Sequence, residues 1–150
     1  MSDQDQEKTD PKTAPRQEPP NFLNEFTPAS EHRVATSLDD PIQAMRLQAD
    51  SATFNELPEE GGIPIQDVIL ADVQIVDRET GVVTSAVRSV IITPDGRGYA
   101  TVSAGVLQSL QQLSQIYGPP PWSPALNLEL LRRKTNSGFI VFRLVPVLVN

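Results

Sequence analysis

Residues 87–110 read VRSVIITPDGRGYATVSAGVLQSL, and a change of period inside this stretch decides the fold. Up to Thr93 the text is β-branched and alternates as a strand does. Pro94-Asp95-Gly96 is a strong hairpin turn, with Pro and Gly each supplying a required dihedral. GYATV at 98–102 then reads as a short strand. Ser103 can cap a helix in which Val106, Leu107, Leu110, Leu113 and Tyr117 fall at i, i+1, i+4, i+7 and i+11. Gly118 sits where a helix needs a left-handed C-terminal residue, and Pro119-Pro120-Pro121 prevents continuation.

Strand signals lie on both sides. Residues 65–76 (IQDVILADVQIV) and 82–93 (VVTSAVRSVIIT) flank a turn at Arg78-Glu79-Thr80-Gly81. Residues 126–133 and 139–147 flank a second turn at Lys134–Gly138. The order is β-β-β-α-β-β. This predicts an all-β fold with one helix, a five-stranded OB-fold barrel whose helix plugs one end. An open α+β sheet with the same order is the rival.

The chain before this region is unlike it. Residues 1–60 hold 5 basic and 13 acidic side chains, no glycine and seven of the fourteen prolines; residues 61–150 hold 7 basic and 6 acidic. Residues 1–38 are expected to be a disordered acidic Pro-rich tail, with too little apolar surface to offset ordering. Within it, Phe22, Leu23 and Phe26 are either a weak interaction motif or of no consequence. Residues 39–60 read as a helical segment and linker: Asp40 as N-cap, Pro41 at the first position, and Ile42, Met45, Ala49 and Ala52 as a thin apolar stripe over 40–57. The OB-fold domain is then 61–150.

Several functions are excluded early. The 150 residues contain no cysteine and a single histidine, His32, so thiol nucleophiles, disulfide scaffolds and His-based metal sites are not expected. Asp67, Asp72, Asp77, Glu79, Asp95 and Glu129 are scattered and form no catalytic pair, and no phosphate-cradling glycine motif occurs. No enzyme activity, metal or cofactor is predicted. The start, MSDQDQEKTD, has neither region of a secretory signal, and no run is long enough to span a membrane, so a soluble cytoplasmic chain is expected.

OB barrels mostly bind single-stranded nucleic acid or oligosaccharide, with cations for phosphates and flat side chains for bases. Arg88 stands mid-strand in phase with Ala86, Val90 and Ile92, which predicts an outward position on the ligand platform. Arg97 opens the third strand and Tyr99 follows on it. Arg132, Arg133 and Lys134 are the one basic run in the chain, and Arg143 lies opposite in phase to Ile140, Phe142 and Leu144. Trp122 is either a plug over the barrel end or a stacking platform, Tyr117 is more simply core, and Phe139 could serve either way. Each cation could equally be a solvated surface charge. An adaptor barrel that recruits protein through its N-terminal segment is therefore the competing function. Convergence of Arg88, Tyr99, Arg132, Arg133 and Lys134 on one face would favour nucleic acid, and scatter would favour the adaptor.

The text VDRETGVV at 76–83, the stretch 87–110, QIYGPPPW at 115–122 and LNLELLRRKTNSGFIVFRLV at 126–145 together resemble the phage-encoded single-stranded DNA-binding proteins. The segment 41–57 is similar to the region preceding the barrel in that family. The resemblance implies non-sequence-specific coating of single-stranded DNA during replication or recombination of a phage or mobile element, in the host cytoplasm. It implies no catalysis. With a domain charge near +1, homo-oligomerisation or cooperative coating is expected, and a replication or recombination protein could be a further partner. The helix text VLQSLQQLSQIY departs from the lysine-rich helix of such proteins.

Overall fold

The computed structural model describes residues 22–26, 28, 33–58 and 61–148. In chain order the elements are α1 (Phe22–Glu25), β1 (Val34–Thr36), α2 (Pro41–Ala49), β2 (Ala52–Thr53), a 3-10 turn (Phe54–Glu56) and β3 (Ile63–Ile65). Then come β4 (Asp67–Val76), β5 (Val83–Ile92), β6 (Gly98–Thr101), α3 (Ala104–Tyr117), β7 (Leu126–Lys134) and β8 (Ile140–Pro146). The fold is mostly β.

The strands form two sheets, β1-β4-β5-β6-β2 and β3-β7-β8. The expected strand over 65–76 divides at Gln66, where the chain passes from one sheet to the other. Gln66 N donates to Ile92 O at 2.8 Å, and Gln66 O accepts from Trp122 N at 2.8 Å. The long hairpin runs in register from Asp67↔Ile92 to Val76↔Val83. One of its faces sends Val68, Leu70, Val87 and Ile91 into the main core with Leu110, Leu128 and Leu144. Its other face packs Ile69, Val90 and Ile92 against Ala44 and Leu47 of α2. Burial on both faces is why this segment is densely apolar with only partial alternation.

The closed five-stranded barrel is corrected by this arrangement. In it β6 would pair with β8, but among the described residues the free edge of β6 is taken by β2, parallel, with Ala52↔Tyr99 and Thr53↔Ala100. Phe54 follows directly and packs edge-on against Phe142 of β8, ring centroids 6.2 Å apart. Residues 52–54 therefore stand where β6 and β8 would pair, laddered to β6 and packed on β8 through Phe54.

The edge of β8 is covered by α3. Ser103 caps that helix, its Oγ accepting from Val106 N at 3.3 Å, and Ser109 Oγ accepts from Leu144 N at 3.0 Å. Gly105 lies against the backbone of β8: a Cβ there would sit 2.3 Å from the Phe142 carbonyl oxygen. Gly105→Ala must push helix and strand apart, at a cost of about 2 kcal/mol. Urea denaturation should show a lowered midpoint with an unchanged slope.

Three other expectations change. The helix expected over 40–57 ends at Ala49, although Asp40 does cap it through Oδ1 and Ile42 N at 2.9 Å. Its docked side is Ala44 and Leu47, while Ile42 and Met45 are exposed. Tyr117 is half exposed instead of core. The tail reading of 1–38 fails where it can be seen, because Leu23 and Phe26 are buried in the main core. Gln111 Nε2 of α3 donates to Leu23 O at 2.9 Å and Phe26 O at 3.3 Å. Residues 1–21 and His32 lie outside the described residues, and so do 59–60.

Two buried carboxylates tie β1 to β4, whose register is Val34↔Ala71 to Thr36↔Ile69. Asp72 takes the guanidinium of Arg33, Nε at 2.6 Å and Nη2 at 3.2 Å, and that guanidinium also stacks 4.5 Å over Phe26. Asp67 accepts from Ser37 Oγ at 2.6 Å and Val68 N at 2.8 Å. Burial nevertheless raises the Asp67 pKa, outweighing the lowering by those two donors. The folded state thus binds this proton more tightly than the unfolded state, and stability from Asp67 falls as pH rises through its folded pKa. Denaturation across acid to neutral pH should show Asp67→Asn gaining on the native chain as pH rises through that window.

Candidate nucleic-acid interface

The outer half of the β7–β8 hairpin concentrates positive charge because no Asp or Glu occurs after Glu129. Its register pairs Leu131↔Arg143, Arg132↔Phe142, Arg133↔Val141 and Lys134↔Ile140. Side chains alternate along a strand, so the run of three cations divides. Arg132 and Lys134 share a face with Phe142 and Ile140, and Arg133 and Arg143 share the opposite face. The Arg132 guanidinium lies 5.7 Å from the Phe142 ring centre and donates to Phe54 O at 3.4 Å. Arg133, Lys134 and Arg143 are exposed. At the turn, held by Thr135 N to Phe139 O at 2.8 Å, Phe139 is 71 % and Ile140 61 % exposed. Beside them a groove of about 390 Å³ is lined by Val102, Gly105, Ile140 and Phe142.

Arg97 and Tyr99 form a second piece. The exposed Arg97 guanidinium stands 5.6 Å over the ring of half-buried Tyr99. Tyr99 is linked to the hairpin through β2: Ala52 pairs with Tyr99, and Phe54, two residues on, accepts from Arg132.

Two expected site residues do other work. Arg88 keeps the phase expected of it, but its face of the sheet is covered by α2. It donates to Gln48 O at 3.1 Å and Ser51 Oγ at 2.6 Å, bracing the carbonyl end of that helix as a cation there should. Trp122 is 4 % exposed in the main core, and its Nε1 donates to Gly118 O at 2.9 Å. A ring so enclosed has no face for a base, which leaves the plug reading. Arg88, Tyr99, Arg132, Arg133 and Lys134 accordingly do not converge on one face. The hairpin gathers Arg132, Arg133, Lys134 and Arg143, with Arg97 and Tyr99 beyond β2.

Sequence reasoning overlooked Phe142, assigned wholly to the core although its ring carries Arg132, and Arg46, a lone cation on α2 with no run to mark it. Among the described residues no group of three or more metal-ligating side chains occurs, and no helix is long and apolar enough to cross a membrane.

The model of the family described as phage single-stranded DNA-binding protein matches residues 36–145, from the end of β1 through β8. The chain belongs to that family. For a phage single-stranded DNA-binding protein, the match is informative about boundaries as well as class, because it takes in α2 and β2 with the two long hairpins. Neither the curated proteins nor the solved structures gave a match.

Proposed function

We propose that the chain coats single-stranded DNA without sequence specificity, during replication or recombination of a phage genome or mobile element. The observation that carries this reading, beside family membership, is the acid-free outer half of the β7–β8 hairpin. It sets four cations around two aromatic rings, Phe139 and Phe142. Cations on both faces suit a flexible strand that can bend around a narrow arm, where a stiff duplex cannot follow. Arginine and lysine neutralise phosphates and release counterions, while rings stack with any base because every base has a π-face. The partly open OB barrel known to bind single strands has the order read here for β4-β5-β6-α3-β7-β8, which supports the reading. With few cations per protomer, coating would draw on contacts between copies.

Phe139 is the ring best placed for stacking. Phe139→Ala should weaken binding to a fluorescently labelled mixed-sequence oligonucleotide by about tenfold, near 1.4 kcal/mol. The salt dependence should not change, because no phosphate contact is lost. An unaltered affinity would remove stacking from the hairpin tip.

The scatter of Arg88, Tyr99, Arg132, Arg133 and Lys134 is the outcome that favours the adaptor alternative, and it is family membership that weighs for DNA against it. The inner side of α2 is packed against the sheet, which leaves its exposed Ile42–Met45 side for any partner.

A further inference from the structure

A second cleft, of about 590 Å³, opens between α2 and the turn from β5 to β6. Its volume is within the range of small-molecule sites. Arg46 and Arg97 both line it, with Asp40, Asp50 and Ile42 among its other walls. Among the described residues neither arginine is held in an ion pair, although two carboxylates share the cleft. Ile42 is 70 % exposed here, an apolar side chain that α2 turns away from its own docking face. The walls thus offer the Arg46 guanidinium, two carboxylates and one apolar patch, with Arg97 at the edge and its guanidinium over the Tyr99 ring. That set matches a nucleotide, which has an anionic phosphate, a flat ring and exocyclic donors, better than it matches a bare anion.

We infer that this cleft holds one nucleotide of the bound strand, with its phosphate on Arg46 and its base against Ile42. This rests on the single-stranded DNA reading above and extends the strand's path. Ala52 lines the cleft and Phe54 accepts from Arg132, so about 7 Å of chain separates the cleft rim from the hairpin. Asp50 supplies selectivity. A carboxylate accepts from the exocyclic amino group of cytosine, adenine or guanine, whereas an unpaired thymine offers only its ring N3–H. The cleft therefore adds a modest base preference to an otherwise sequence-independent grip.

The test compares oligo-dC with oligo-dT of equal length by anisotropy, over a salt series, for the full chain, Arg46→Ala and Asp50→Ala. The native chain should favour oligo-dC several-fold. Arg46→Ala should weaken both and lower the salt slope by about 0.7, the value of one single-strand phosphate contact. Asp50→Ala should keep the slope and lose the dC preference. Both substitutions are at exposed positions, and alanine suits the helix interior at Arg46. If both variants match the native chain in slope and in dC/dT ratio while the native chain still binds, the cleft assignment is wrong and the hairpin reading stands. If the native chain binds neither oligonucleotide, both fall together.

Discussion

Replacing Arg133, Lys134 and Arg143 together by glutamine should lower affinity for single-stranded DNA about thirtyfold at low salt, equivalent to about 2 kcal/mol. Each phosphate contact on a single strand contributes about 0.7 to the slope of log affinity against log salt. Losing three should therefore reduce the slope by about 2. These side chains are exposed and stand on the two outer faces of a hairpin whose ladder they do not hold, so thermal stability should stay within about 0.5 kcal/mol. Arg132 is left in place because it also supports Phe54 and Phe142. A triple variant with native affinity would move the interface off this hairpin.

The largest effect on folding is expected at Arg33. Its removal takes the guanidinium from the Asp72 carboxylate, whose side chain has no exposure, keeps only the main-chain N–H of residue 33 from that pairing, and takes away the cover over Phe26. Breaking a buried pair from one side typically costs 3–5 kcal/mol. Because Arg33 itself is 35 % exposed, the lower limit applies, and Arg33→Ala should lose about 3 kcal/mol in urea denaturation. The double variant Arg33→Ala/Asp72→Asn should recover part of that loss, since the buried side chain is then neutral.

The long elements were legible because their ends are marked by turn chemistry. Thr93 N to Arg97 O at 3.0 Å and Gly96 N to Thr93 O at 2.9 Å close the Pro94-Asp95-Gly96 turn, with Gly96 at φ +85. Ser103 and Gly118 bound α3 as read. What failed is short or two-sided. Strands of two or three residues, such as β1 and β2, hold no period to detect, and so the segment that pairs with the edge of β6 was invisible. Leu23 and Phe26 were discounted as isolated apolar residues in acidic, Pro-rich text, although two such anchors suffice when α3 offers Gln111 to bind their carbonyls. The end of α2 did have a signal. Thr53 and Glu56 have capping-box spacing, and Glu56 Oε2 accepts from Thr53 N at 3.4 Å, so a new turn starts there.

The candidate site was half legible for a related reason. A basic run of three can be seen in the text, and its division between two faces follows from strand periodicity alone. Arg88 was correctly phased, but its platform is covered because α2 docks through Ala44 and Leu47. The helix was expected to use the Ile42–Met45 stripe, and no propensity rule separates two apolar sides on so short a helix. Trp122 had two readings, and burial decides between them.

The central claim is tested most directly by titrating the full chain into a labelled single-stranded oligonucleotide and into the matching duplex, by anisotropy, across a salt series. Saturable binding to the single strand, well above the duplex and weakening steeply with salt, is the predicted result. Equal binding to both, or none to the single strand at low salt, would contradict it.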